Sequence, residues 1–180
     1  MESISVLAIC GSLRRDSLNR QLMLNALDLA PDHLEFRVAE ISGLPLYNAD
    51  IESVGFPDAA TNLHQQLCAS DAVLIITPEY NYSIPAPLKN AIDWLSRFNQ
   101  QGFNNKPVAI MGASPGRLGT ARCQYHLRQV LVCLNAWVLN RPEIMISGAH
   151  LAFDEQGKLK ERATQDRIRE QLIALAAMVH

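Results

Sequence analysis

The sequence predicts a doubly wound α/β domain, and three observations carry that prediction. Runs such as 72–77 and 107–112 are apolar almost throughout, as expected of parallel strands covered on both faces. Strand runs and segments with helical apolar spacing alternate five times with short joins, so right-handed crossovers place helices on both faces of one sheet. Polar loops rich in Gly, Ser and aromatic residues follow the first, third and fourth strands, at the sheet edge where such folds hold ligands.

Taken in order, Ile4 to Cys10 is apolar over a strand length and stops at Gly11-Ser12. From Leu18, the positions Leu18, Leu22, Ala26 and Leu29 keep helical spacing until Pro31. Phe36 and Val38 alternate with polar neighbours, which predicts a half-exposed second strand at an edge. A loop rich in Gly, Pro, Asn and Asp is expected from Gly43 to Pro57, then a helix from Asp58 to Cys68 and the central strand from Ala72 to Thr77. Pro85 to Pro87 suit the first turn of a helix that buries Leu88, Ala91, Ile92 and Leu95. Pro107 to Gly112 is the next strand, and after Ser114 to Gly119 a helix carries Leu127, Val130, Leu131 and Leu134. A fifth strand lies within Ala136 to Ile146, interrupted around Pro142, and the last helix uses Ile168, Leu172, Leu175, Ala176 and Val179. Five strands in this length favour the flavodoxin-like order 2-1-3-4-5, with the switch point between strands one and three.

A length of 180 residues predicts a single domain spanning 1–180 with a substantial core. A net charge of -2, with 48% hydrophobic and 19% charged residues, argues against disorder and against a basic nucleic-acid surface, so small-molecule partners are expected. Cys10, Cys68, Cys123 and Cys133 lie far apart with no CxxC or Cys/His spacing, which predicts buried free thiols in a reducing compartment. His33, His64, His126, His150 and His180 are dispersed, so no metal site is expected. No secretory leader pattern opens the chain and no apolar run reaches membrane-spanning length, so the expected location is the cytoplasm.

The first loop, Gly11 to Asn19, has the chemistry of an anion site. Backbone N–H groups at a helix amino terminus are unpaired, Ser12, Ser17 and Asn19 add donors, and Arg14 adds a charge-assisted contact. Ser17 equally suits a plain helix cap with solvated arginines around it; its place directly after a buried strand at the switch point favours phosphate. Neither GxxxxGK[ST] nor GxGxxG is present, and a phosphatase nucleophile at Cys10 would need an arginine where Asp16 stands. The second loop, Pro78 to Ser83, offers a stiff wall of Pro78, Tyr80 and Tyr82 with backbone amides for a planar heterocycle, and Glu79 and Asn81 add polar choice. Taken singly, the two tyrosines are ordinary rim aromatics and Glu79 a solvated carboxylate; their concentration points to a ligand platform. The third loop, Ser114 to Arg122, reaches the same rim, and its glycines allow close approach. One phosphate loop with one heterocycle platform matches a mononucleotide, FMN, better than a dinucleotide.

The segments Gly11-Ser12-Leu13-Arg14-x-x-Ser17-x-Asn19 and Pro78-Glu79-Tyr80-Asn81-x-Ser83-x-Pro85-x-x-Leu88-Lys89-Asn90-Ala91-Ile92-Asp93-Trp94 resemble the NADPH-dependent FMN reductase family, nearest its bacterial quinone and chromate reductase branch. The likeness runs from the first strand through the helix at Arg122. It implies non-covalent FMN within Ser12, Leu13, Arg14, Ser17, Leu18 and Asn19 at the phosphate end, and Pro78, Glu79, Tyr80, Asn81, Tyr82 and Ser114 at the isoalloxazine end. It also implies NAD(P)H as donor, and a homodimer or homotetramer with Arg122, Tyr125 and Glu143 at an interface. Many members have paired glycines where this chain has Gly119-Thr120, and Pro115 stiffens the approach, which bears on acceptor preference. The implied activity is a ping-pong oxidoreductase passing electrons from NAD(P)H to quinones, free flavin or oxidised metal ions. FMN carries the chemistry, and no side chain acts as general acid or base. Arg15, Arg117 and Arg122 would make the mouth positive and favour NADPH. The alternative is a flavodoxin-type electron carrier or flavin redox sensor. The small net charge and the arginine-bearing phosphate loop oppose the carrier.

Overall fold

Alternate side chains along each central strand go to opposite faces, and this decides the layering of the computed structural model, which describes residues 3–179. The elements are β1 (Ile4–Cys10), α1 (Leu18–Asp28), β2 (Leu34–Val38), α2 (Ala49–Val54), α3 (Asp58–Cys68), β3 (Ala72–Ile76), α4 (Ala86–Leu95), β4 (Pro107–Ala113), α5 (Ala121–Cys133), β5 (Trp137–Val138), β6 (Ile144–Ile146) and α6 (Arg162–Ala176). The parallel sheet has the order β2-β1-β3-β4-β5, as the sequence predicts, with Val6 opposite Ala72 and Val73 opposite Val108. The fifth position is shared: β5 pairs with Pro107 and Val108, whereas β6 pairs with Met111 to Ala113, so the interruption around Pro142 is real.

Val6, Ala8, Leu74, Ile76, Ala109 and Met111 face α1 and α6, where Leu22, Ala26, Ile168 and Leu172 are fully buried. Leu7, Ile9, Val73, Ile75, Val108 and Ile110 face α3, α4 and α5, packing with Leu63, Leu67, Leu88, Ile92, Leu127 and Leu131. Burial on both faces is why β3 and β4 read as unbroken apolar runs. β2 is half exposed and stands at the edge. Among the described residues, no helix is long and apolar enough to cross a membrane.

Two expectations are corrected. The expected loop from Gly43 to Pro57 contains α2, a short helix with no buried residue and hence no apolar stripe to announce it. It is held by polar chemistry: Asn48 Oδ1 accepts from Asp50 N at 2.8 Å, and Tyr47 Oη donates to Glu52 Oε2 at 2.8 Å. The cysteines are free, as expected, but not all buried. Cys123 is buried, Cys10 and Cys68 are half-buried, and Cys133 is exposed at the end of α5. Burial pushes the Cys123 thiol up to about 11, with the neighbouring Glu79 carboxylate adding to the rise. His180 lies outside the described residues.

Candidate functional site

Because β1, β3 and β4 are adjacent and parallel, the loops that leave their carboxyl ends emerge side by side, and close contacts tie their bases together. Loop one (11–17) meets the end of β3, where loop two (77–85) begins: Gly11 N donates to Ile76 O at 2.7 Å. A Cβ on Gly11 would lie 3.0 Å from Thr77 Oγ1 and 3.2 Å from Leu88 Cδ2. Loop two meets loop three (114–120) across Gly112, where a Cβ would lie 2.3 Å from both Thr77 O and Thr120 Oγ1. The start of α1 meets the last residue of β4, just before loop three, through Asn19. Its Nδ2 donates to Ala113 O and its Oδ1 accepts from Ala113 N, each at 2.9 Å.

The phosphate-end residues sit at the amino terminus of α1. Ser17 is the N-cap, and its Oγ accepts from Asn19 N at 3.2 Å and Arg20 N at 3.3 Å. The Ser17 hydroxyl proton is left to donate. Among the described residues, the backbone N–H groups of Leu13 and Leu18 have no acceptor, and no acidic residue stands in the first turn of α1. Leu13, Arg14 and Arg15 are exposed, Ser12 and Leu18 half-buried, and Ser17 and Asn19 buried. The donor set therefore suits an anion on electrostatic grounds. One amide hydrogen of Asn19 is committed to Ala113, which leaves the other for a ligand.

Loop two is a tight hairpin. Tyr80 N donates to Ser83 O at 3.1 Å and Ser83 N to Tyr80 O at 2.9 Å, with Asn81 at φ 49° and Tyr82 at φ 66° between them. Two successive left-handed residues are the type I′ geometry. Asparagine tolerates it, but at Tyr82 it costs on the order of 1–2 kcal/mol. Contacts with α5 hold the strained turn. The Arg122 guanidinium lies 3.7 Å from the centroid of the Tyr82 ring, and Ser83 Oγ hydrogen-bonds His126 Nδ1 at 2.7 Å. Glu79 is not a solvated carboxylate, since its side chain is only 9% exposed. Its Oε2 accepts from Cys123 N at 3.0 Å, and its Oε1 lies 3.7 Å from Arg122 Nη1. Tyr80 and Tyr82 stand exposed on the rim, and Pro78 is half-buried.

Loop three is tied to the β6 side. Ser114 N donates to Ile146 O at 2.9 Å, and Ala149 N to Ser114 O at 3.1 Å. Gly119 adopts φ +59°, and a Cβ there would press on the Met145 backbone at 2.9 Å. Around Gly116, by contrast, a Cβ would meet only Ser114 Oγ at 3.5 Å. Between loops two and three opens a cleft of about 600 Å³, lined by Glu79 and Tyr82, by Ser114 and Gly116 to Gly119, and by Arg122. Of the expected interface residues, Tyr125 is exposed on the outer side of α5, Glu143 is half-buried before β6, and Arg122 is engaged with Tyr82 and Glu79.

Sequence reasoning passed over His126 as one of several scattered histidines. Its spacing of one helical turn from Arg122 is the signal that places both beside loop two. Nothing local to Asn19 announces its partner, which lies 94 positions away.

Comparison with known proteins gives the family. Residues 4–151 match the family described as NADPH-dependent FMN reductase. The chain is 51% identical to an NAD(P)H-dependent FMN reductase of Pseudomonas aeruginosa over 99% of its length and 96% of the relative's. It is 42% identical to a quinone reductase of Escherichia coli K12, again over 99% and 96%. Among solved structures, the flavoenzyme NAD(P)H:(acceptor) oxidoreductase FerB of Paracoccus denitrificans superposes with a TM-score of 0.89 at 36% identity, covering 98% of this chain and 97% of that one. The chain belongs to the NADPH-dependent FMN reductase family.

Proposed function

We propose that the rim where the three loops meet holds FMN, with its phosphate at the amino terminus of α1 and its ring along loop two beside the cleft, and that donor and acceptor use the open side in turn. The chain is an NAD(P)H-dependent oxidoreductase with FMN as its cofactor, the reading its family membership supports. The observation that carries the site assignment is the double hydrogen bond between Asn19 and Ala113, which ties the amino terminus of α1 to the end of β4, where loop three begins.

In this reading the backbone N–H groups of Leu13 and Leu18, the hydroxyls of Ser12 and Ser17, the guanidinium of Arg14 and the second amide hydrogen of Asn19 bind the phosphate oxygens. Pro78, Tyr80, Asn81 and Tyr82, with Ser114, line the ring, Glu79 joins them through its backbone with its carboxylate turned to Cys123 N, and N–H groups in these loops offset negative charge developing on the ring. When bound, FMN supplies the hydride-accepting and electron-donating chemistry. Quinones are the acceptors that the relative in Escherichia coli points to, with free flavin and oxidised metal ions such as chromate as further candidates. One open cleft serving both substrates implies ping-pong order. Steady-state oxidation of NAD(P)H by the pure protein with a quinone is expected to give parallel double-reciprocal lines. Intersecting lines would reject the shared cleft, and negligible turnover would return the carrier or sensor.

Donor preference separates two arginines of the cleft. Arg122 is held over the Tyr82 ring, with Glu79 Oε1 3.7 Å from its Nη1, whereas Arg117 is exposed and has no acidic partner among the described residues. Arg117 is therefore the group that reads the extra phosphate of NADPH. Arg117→Ala is expected to lower the ratio of kcat/KM for NADPH over NADH by roughly tenfold, the effect of losing one charge-assisted hydrogen bond. An unchanged ratio counts against the assignment. Homodimer or homotetramer formation through Arg122, Tyr125 and Glu143 completes the proposal, supported by the exposed Tyr125 and Val132 on α5. A monomer in sedimentation velocity would remove that part.

A further inference from the structure

Glu79 belongs to loop two, yet its hydrogen bond serves another element. Its Oε2 accepts from the N–H of Cys123, the third residue of α5. Thr120, at the N-cap position of that helix, makes no side-chain cap bond, and its Oγ1 instead accepts from Gln124 Nε2 at 2.9 Å. The acceptor that a helix start ordinarily takes from its own N-cap residue is thus supplied from across the cleft. The carboxylate is sheltered from water and faces the positive end of α5 and the Arg122 guanidinium. The same loop carries the left-handed pair Asn81 and Tyr82, a conformation that persists only where the surroundings impose it.

We propose that Glu79 is a positioning residue for the ring end of the cofactor site: by capping α5 from loop two, it fixes the spacing between loops two and three at which the ring is held. This rests on the FMN reading above. Glu79 acts through α5, and what the role requires is its capacity to accept the Cys123 N–H, more than its charge. Arg122 Nη1 is 3.7 Å away, beyond a hydrogen bond, and its side chain is 43% exposed, so the ion pair is weak.

The test titrates the apoprotein with FMN and separately with riboflavin, for the parent, Glu79→Ala and Glu79→Gln, following flavin fluorescence, with thermal melts to establish folding. Glu79→Ala is expected to weaken both ligands by the same factor, roughly ten- to a hundredfold, because both carry the ring. Glu79→Gln keeps an acceptor and is expected to stay within about threefold of the parent. In the apoprotein, hydrogen exchange at the Cys123 amide should quicken in Glu79→Ala and not in Glu79→Gln. If the alanine variant does not fold, Glu79→Asp, one methylene too short to reach Cys123, takes its place with the same expectation. Unchanged riboflavin binding in the shortened variant, a loss confined to FMN, or a glutamine variant as impaired as the alanine one would each overturn the proposal. A parent protein that binds neither flavin would instead bring down the FMN reading itself.

Discussion

Replacing Arg14 and Ser17 together by alanine is expected to weaken FMN binding by roughly thirty- to a thousandfold while weakening riboflavin by no more than about threefold. The two ligands share the ring and differ in the phosphate, so their ratio isolates the amino terminus of α1. Arg14 is exposed and supplies a charged donor, for which about 1.5–3 kcal/mol is the usual contribution; the Ser17 hydroxyl adds about 1 kcal/mol. Ser17 also caps α1 through Asn19 N and Arg20 N, so its removal costs about 1 kcal/mol of stability. Melting curves separate that contribution, and the small effect on riboflavin reflects it. Equal loss for FMN and riboflavin in fluorescence titrations would mean that the phosphate lies elsewhere.

Gly112→Ala is expected to destabilise the protein by about 3 kcal/mol or more, a fall in Tm of roughly 6–12 °C. The added methyl would lie 2.3 Å from Thr77 O, a backbone atom at the start of loop two, and 2.3 Å from Thr120 Oγ1. Thr77 N is itself bonded to Met111 O, and Thr120 Oγ1 accepts from Gln124 Nε2, so neither neighbour moves without losing a hydrogen bond. Relief comes only by parting loops two and three, and flavin retention should fall with Tm. Gly116→Ala, four residues along, is the control, because its Cβ would meet nothing nearer than 3.5 Å and its backbone φ is not left-handed. Differential scanning calorimetry of the two variants checks the contrast; comparable melting temperatures would show that β4 is not packed against loop two as described.

How much of this was legible depends on distance along the chain. β1, β3 and β4 could be read because burial on two faces leaves an apolar run, and reading three adjacent strands also locates the rim on which their loops gather. The identity of that rim was therefore open to sequence reasoning, and Ser17 could be assigned to the start of α1 from residue type alone. The contacts that tie the loops of that rim together were not. Asn19 and Ala113 are 94 positions apart, and Glu79 and Cys123 are 44 apart, so neither pairing leaves a local pattern. Tyr82 in a left-handed conformation runs against its own preference and is imposed by α5. α2 went unread for the opposite reason, since a helix that buries nothing carries no stripe. Arg122, grouped by sequence with Arg15 and Arg117 at the mouth, turns out to be stacked on Tyr82 beside Glu79.

Convergence of the three loops on one flavin is tested most directly by incubating the purified protein with FMN, removing the unbound ligand, recording the visible spectrum, and titrating anaerobically with NADPH and then NADH. The expected result is stoichiometric retained yellow colour that bleaches on addition of donor. A protein that stays colourless after excess FMN, or a retained flavin that neither donor bleaches, would contradict it.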